Sequence, residues 1–314
     1  MKLQTQIPLA PEEPQIDYQS RMLLLGSCFA ENIGAKLAYY KFEMLQNPFG
    51  ILFHPRAVEK LVTRAVQGKE YTGSEIFHRD DRWHCFDTHS DLSDPSKEGL
   101  LQKLNDCLEQ TADEIRKSTH ILITLGTAWV YKHLGTDIHV ANCHKVPQKE
   151  FSKDLLSPGM ISGSASNMVR AIRSVNRGAT LIFTVSPVRH LKDGFIENQR
   201  SKAHLVTALH AIIQEEQIAY FPAYELMLDE LRDYRFYGAD MVHPNALAIA
   251  YIWERFASVW ISEEAVPVME EVAAIQKGLQ HRPFYEHSEQ HQKFLGSLRE
   301  KMMYLQKEYP FMEF

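Results

Sequence analysis

Two adjacent residues, Ser27 and Cys28, stand where an apolar run ends on Gly26, in the segment LLLGSCFAENIG. Either side chain is a nucleophile once deprotonated or paired with a base. Far along the chain, in YGADMVHPNALAIAYIWERF, Asp240 precedes His243 by three residues. A carboxylate at that spacing in a turn can hold an imidazole ring, fix its tautomer and stabilise its cation. Cys28 or Ser27 as nucleophile, His243 as general base and Asp240 as its orienter make a scheme for acyl transfer. At a helix start, unpaired N–H groups and the positive end of the dipole favour a thiolate, so the Cys28 thiol is expected to be acidic. The plainer roles are structural: Ser27 as an N-cap, Cys28 as a small buried filler, Asp240 or His243 as a helix cap.

These residues need a scaffold that joins distant segments. RMLLLG (21–26), HILITLG (120–126) and ATLIFTVSP (179–187) read as buried strands, with FEML and IAYFP as shorter ones. Helical spacing marks 30–42, 56–67, 98–117, 197–216 and 245–260, and SNMVRAIRSVNRG is a helix stopped by Gly178. Two further helices are expected near 266–279 and 287–307. Pro244 is expected to open the helix at 245–260. Segments 68–98 and 132–165 show little periodicity and read as loop, the second shaping a pocket over the strand ends. Strands alternating with helices predict a three-layer αβα sandwich with a mostly parallel sheet. Ligands bind such sheets at the carboxyl ends of the strands. Gly26-Ser27-Cys28, Gly126-Thr127 and Ser186-Pro187 all fall there. Arg189 and His190 follow closely and could bind an anionic or sugar group.

Composition narrows the partners. The chain has 314 residues, 45% of them hydrophobic, enough for a sizeable core. The net charge is −6 and no Lys/Arg block occurs, so a nucleic-acid partner is not expected. Residues 1–20 read as a loose arm without the apolar core of a signal peptide. No apolar run approaches the ~18 residues of a membrane helix, so the expected location is cytoplasmic. The four cysteines form no CxxC and are expected to be reduced and mostly buried. Cys143 and His144, near His133, Asp137 and His139, raise the thought of zinc, but adjacent side chains rarely share one metal. No metal is expected, and without a G-x-G-x-x-G turn or a P-loop no nucleotide cofactor either.

LGSCFAENIG resembles the signature of the GSCFA family. QNPFGILFHP, LITLGTAW, ANCHKVP, SPVRHLKDGFIENQRSK, YFPAYE and DMVHPN resemble further blocks of that family, in its order, over roughly residues 20–260. The family is similar to the SGNH (GDSL-type) hydrolases. That resemblance implies an SGNH/flavodoxin-like sandwich over 21–262, and the two helices expected beyond it make 263–314 a helical extension packed on the same domain. It implies that Gly26, Ser27 and Cys28 match the Gly-Asp-Ser corner, and Asp240 and His243 the Asp-x-x-His pair. It further implies an oxyanion site from the N–H groups of Cys28 and Gly50, with Asn47, Gly126 or Thr127 assisting. The Asn of the SGNH third block is Ala128 here. Two departures therefore stand: a Cys at the nucleophile position and a missing side-chain donor. The implied function is hydrolysis or transfer of an ester-linked acyl group on a small molecule or carbohydrate. A non-catalytic glycan- or partner-binding module is the alternative, and a redox-sensitive thiol protein a third.

Overall fold

The computed structural model describes residues 5–282, 284–285 and 288–314. Strands β1 (Arg21–Gly26), β2 (Glu43–Gln46), β3 (His120–Leu125), β4 (Thr180–Val185) and β5 (Ala219–Phe221) form one sheet in the order β5-β4-β3-β1-β2. Every pair in it is parallel. Gly26 lies opposite Thr124, and Thr124 opposite Thr184, so β1, β3 and β4 end together. The chain runs from β1 out to β2, then returns past β1 to β3. The order therefore reverses between β1 and β3, which opens a crevice at their carboxyl ends.

The strands are unbroken apolar runs because both of their faces are covered. Leu23, Leu25, Ile121, Ile123, Leu181 and Phe183 point to one side. That side is packed by helices α2 (Pro55–Gln67), α3 (Lys97–Lys117), α4 (Pro158–Val175) and α5 (Phe195–Ile212). Met22, Leu24, Leu122 and Ile182 point to the other. There they meet Phe29, Ile33 and Leu37 of α1 (Cys28–Tyr39) and the apolar face of α6 (Ala246–Trp260). Helices α7 (Val266–Leu279) and α8 (Glu289–Glu308) add Val272, Ile275, Leu298 and Leu305 to this second cluster. The α/β sandwich and its C-terminal helices are thus as expected.

The differences lie outside the main sheet. Segment 68–98 holds an antiparallel hairpin, Ile76–Arg79 with Arg82–Cys85. Segment 132–165 is not loop. Trp129–His133 is the centre of a small antiparallel sheet with Ile138–Val140 and Phe151–Leu155, and α4 follows. These strands are too short and too polar to print a period, and their pairing supplies the missing order. The described part of the N-terminal arm, from residue 5 on, is not loose: Ile16 is fully buried and bridges to Ile261, while the arm's first four residues lie outside the described residues. Pro244 does not open α6. Asn245 does, accepting from the Ala248 N–H at 3.0 Å, while Pro244 pairs with Tyr237. All four cysteines are free thiols, yet only Cys85 is fully buried. Among the described residues no helix is long and apolar enough to cross a membrane.

Candidate functional site

Gly26 ends β1 with φ +127°, a conformation that only glycine adopts at low cost. Ser27 then donates its N–H to Thr124 O at 3.0 Å and caps α1, its Oγ accepting from the Phe29 N–H at 3.3 Å. It is 1% exposed. Ser27 therefore does the capping work expected of that residue type. Cys28 is the first residue of α1 and only partly buried. Its thiol is not acidic as expected. Burial pushes its pKa up and Glu31 adds to this, outweighing the pull of Lys202 and of the Cys28 and Phe29 amides. Desolvation wins over the helix terminus here.

Asp240 and His243 are joined as their spacing predicts. Asp240 Oδ2 lies 2.6 Å from His243 Nδ1, while Oδ1 accepts from the N–H groups of Val242 and His243 at 2.9 and 3.0 Å. These bonds, that to the His243 ring foremost, hold the Asp240 carboxyl well below the usual range. The bond fixes Nδ1 toward the carboxylate and leaves Nε2 to act as acceptor. Among the described residues neither Cys28 Sγ nor Ser27 Oγ hydrogen-bonds to His243. The Asp-x-x-His turn is held to the carboxyl end of β4: Arg189 donates its backbone N–H to Val242 O at 3.1 Å and Nη1 to Met241 O at 3.0 Å.

The expected oxyanion donors are mostly committed elsewhere. The Gly50 N–H donates to Asn47 O at 2.7 Å, and those of Gly126 and Thr127 to Phe53 O at 2.7 and 3.1 Å. Thr127 Oγ1 pairs with Ser201 at 2.9 Å. Asn47 is a brace: its N–H donates to Leu24 O, and its Oδ1 accepts from the Gly26 N–H at 2.9 Å. Its Nδ2 is 3.5 Å from Glu31 Oε1. The N–H of Cys28 reaches no other residue's carbonyl among the described residues and acts on its own thiol. Asn47→Ala strips the buried Gly26 N–H of its partner. Urea unfolding is expected to show a loss of about 1–3 kcal/mol. An unchanged midpoint would assign the hold on Gly26 to other groups.

His190 packs on Phe53, ring centroids 5.7 Å apart, with its Nε2 buried and unpartnered. A Cβ on Gly126 would come within 3.1 Å of that nitrogen. Burial, then Lys202, then His243 lower its pKa to about 3. Beside it, a cavity of about 360 Å³ is lined by Arg189, Phe195, Asn198, Tyr224 and Tyr237 among others. The Arg189 guanidinium sits 5.3 Å from the ring centres of Phe195 and Tyr237, and has no carboxylate partner among the described residues. His144 turns inward, its Nε2 2.6 Å from Cys85 O. Among the described residues no three metal-ligating side chains gather.

Lys202, on α5, escaped the sequence reading. It is 1% exposed, and its Nζ donates to Gly126 O at 2.7 Å and Ser186 O at 2.6 Å, at the ends of β3 and β4. The signal was spacing: Asn198, Lys202, Leu205, Leu209 and Ile212 form the buried stripe of α5.

The GSCFA family profile matches residues 21–256, and that of the GSCFA domain protein C-terminal domain matches residues 272–314. The chain belongs to the GSCFA family. No curated protein matches it. In this GSCFA protein the first match ends inside α6 and the second begins inside α7. The signature letters are thus the end of β1, the cap and the first turn of α1.

Buried neutral histidines are expected to make this fold sensitive to acid. Burial lowers His54 and His144 to about 4, from an ordinary 6.5. His54 Nδ1 caps α2 at Ala57, and its Nε2–H donates to Val140 O. With folded pKa values below the unfolded one, the unfolded chain takes up protons first as pH falls. Their contribution is complete above pH 6.5 and is lost as pH drops toward 4. Urea midpoints are expected to decline across that window, less steeply in His144→Phe. Parallel declines in both proteins would remove His144 from the effect.

Proposed function

We propose that the protein performs acyl-ester chemistry of the SGNH type, hydrolysing or transferring an acyl group from a small-molecule or carbohydrate ester. The reading is carried by the Asp240–His243 hydrogen bond of 2.6 Å, in a turn that Arg189 ties to the end of β4. This is the same edge of the sheet at which β1 delivers Cys28. Cys28 Sγ, as thiolate, attacks the ester carbonyl, with the Cys28 N–H facing the developing oxyanion. The C–O bond breaks, and the leaving alkoxide takes a proton from the His243 cation. Water or an alcohol then gives its proton to His243, attacks the thioester and releases Sγ. The aromatic cavity beside Arg189 is proposed to hold the group that bears the ester.

A non-catalytic binding module is the second reading. The raised Cys28 thiol, with no hydrogen bond to His243, favours it. Acid quenching during turnover of p-nitrophenyl acetate separates the two. Mass spectrometry is expected to find acetyl on Cys28 in the wild type and none in Cys28→Ala. Acetyl at Ser27 would reassign the nucleophile, and failure to acylate either residue with a panel of aryl and sugar acetates would leave the binding module.

A further inference from the structure

Lys202 is the buried group that the acyl scheme leaves unused. An ammonium has three N–H donors. Two of those of Lys202 reach the carbonyls of Gly126 and Ser186, and the third has no acceptor among the described residues. No carboxylate lies at ion-pair distance from Nζ among the described residues, although the side chain is 1% exposed. A cation so placed is expensive unless something opposite in charge comes near. The neighbouring strand end supplies a candidate. Gly26 is registered on Thr124, and Ser27 donates to Thr124 O, two residues before the Gly126 carbonyl that holds Lys202. Cys28 follows at the head of α1. The two groups feel each other: the ammonium favours the Cys28 thiolate, and the thiolate favours the ammonium.

We infer that Lys202 is the charge partner of Cys28, an ammonium fixed on the Gly126 and Ser186 carbonyls that serves as counter-ion when a thiolate forms at the head of α1. The inference deepens the reading of Cys28 as nucleophile and rests on it. Lys202 is a positioning residue here, acting through the thiol. The surroundings are few. Glu225 supports the ammonium, His190 stays neutral beside it, the Tyr224 ring centre is 5.5 Å from Nζ, and Glu31 opposes the thiolate. Burial lowers Lys202 to about 7 and raises the Cys28 thiol, which brings the two groups' proton affinities closer together. Thiol with amine and thiolate with ammonium then hold the same number of protons, and the pair titrates as a unit. The second arrangement carries the nucleophile.

The alternative is that Lys202 only straps β3 to β4. Alkylation of Cys28 by iodoacetamide, followed by mass spectrometry from pH 5 to 10, distinguishes the two, with Cys107 as internal reference. In Lys202→Met the Cys28 profile is expected to move up by at least one pH unit, slowing alkylation at pH 7 about tenfold. Lys202→Arg, which stays charged across this range, is expected to hold the Cys28 profile at or below that of the wild type. A folded Lys202→Met protein with an unmoved Cys28 profile overturns the inference. Should Lys202→Met fail to fold, the Lys202 titration followed by NMR in Cys28→Ser replaces it. Linkage is reciprocal, so the ammonium is expected to lose its proton at lower pH once the thiol is gone. An unchanged Lys202 titration there overturns the inference equally. A Lys202-dependent Cys28 profile in a protein that never forms an acyl-thioester would sink the esterase reading and leave the charge pair standing.

Discussion

Gly26→Ala is expected to prevent the chain from reaching its folded state. A Cβ at this position would lie 2.1 Å from Thr124 O, a backbone atom of the adjacent central strand. The φ of +127° is itself closed to a side chain at low cost. Relaxation is blocked on every side. Gly26 N–H is held by Asn47, its carbonyl accepts from Leu52 N–H at 3.0 Å, and Ser27 is bonded to Thr124. Overlap and strain together are comparable with the ~5–15 kcal/mol that separates a folded domain from its unfolded chain. Gly68→Ala is the matched control. Gly68 also has positive φ, +61°, but it ends α2 in open space, where an added methyl would meet nothing within 4 Å. It should cost only about 1–2 kcal/mol. Soluble expression and circular dichroism of the two proteins test the contrast, and a well-folded Gly26→Ala protein would refute it.

On the proposed acyl-ester chemistry, His243→Ala should reduce ester turnover by about 10²–10⁴-fold, the usual worth of a positioned acid–base group. Stability should barely change, because both His243 and Asp240 have half-exposed side chains, 51% in each case. Asp240→Asn should lower the rate as well, by weakening the hold on Nδ1, yet keep an oxygen for the Val242 and His243 amides. Asp240→Ala would lose the rate and the turn together. Rates and melting curves measured on all three variants check this. A His243→Ala enzyme with wild-type kcat/KM would remove His243 from the chemistry.

The parallel sheet was legible because β1, β3 and β4 are covered on both faces, which writes them as apolar runs bounded by turn residues. The Asp240–His243 pair was legible because it is local. One four-residue turn, from Asp240 to His243, contains the whole interaction. The hairpin at 76–85 was not legible, since RWHC and IFHR carry no alternation of their own and owe their strand form to one another. The acidity of Cys28 was misjudged for a similar reason. Position at a helix start is visible in sequence, whereas the burial and the Glu31 charge that outweigh it are tertiary. Gly50 and Thr127 were legible as turn residues following strands, but which acceptors their N–H groups would meet depended on how the Asn47 turn and Phe53 crossed the strand ends. Lys202 was passed over because lysines are usually solvated. Its place in the apolar stripe of α5 was readable, and its carbonyl partners were not.

The clasp between the N-terminal arm and the end of α6 bears on how the chain is made. Ile16 N–H donates to Trp260 O at 2.6 Å, Ser262 N–H donates to Ile16 O at 2.9 Å, and Glu12 N–H reaches Val259 O. The ribosome delivers Ile16 early and Ile261 only after nearly the whole α/β unit has emerged. During that interval the arm has no mate and β1 stands with one flank uncovered. Contacts of such sequence separation close slowly, since the entropy of the intervening loop is spent before they form. The clasp therefore closes only after residues far along the chain have been made, and Ile16→Ala should reveal itself more in the yield of folded chains at 37 °C than in the geometry of the site.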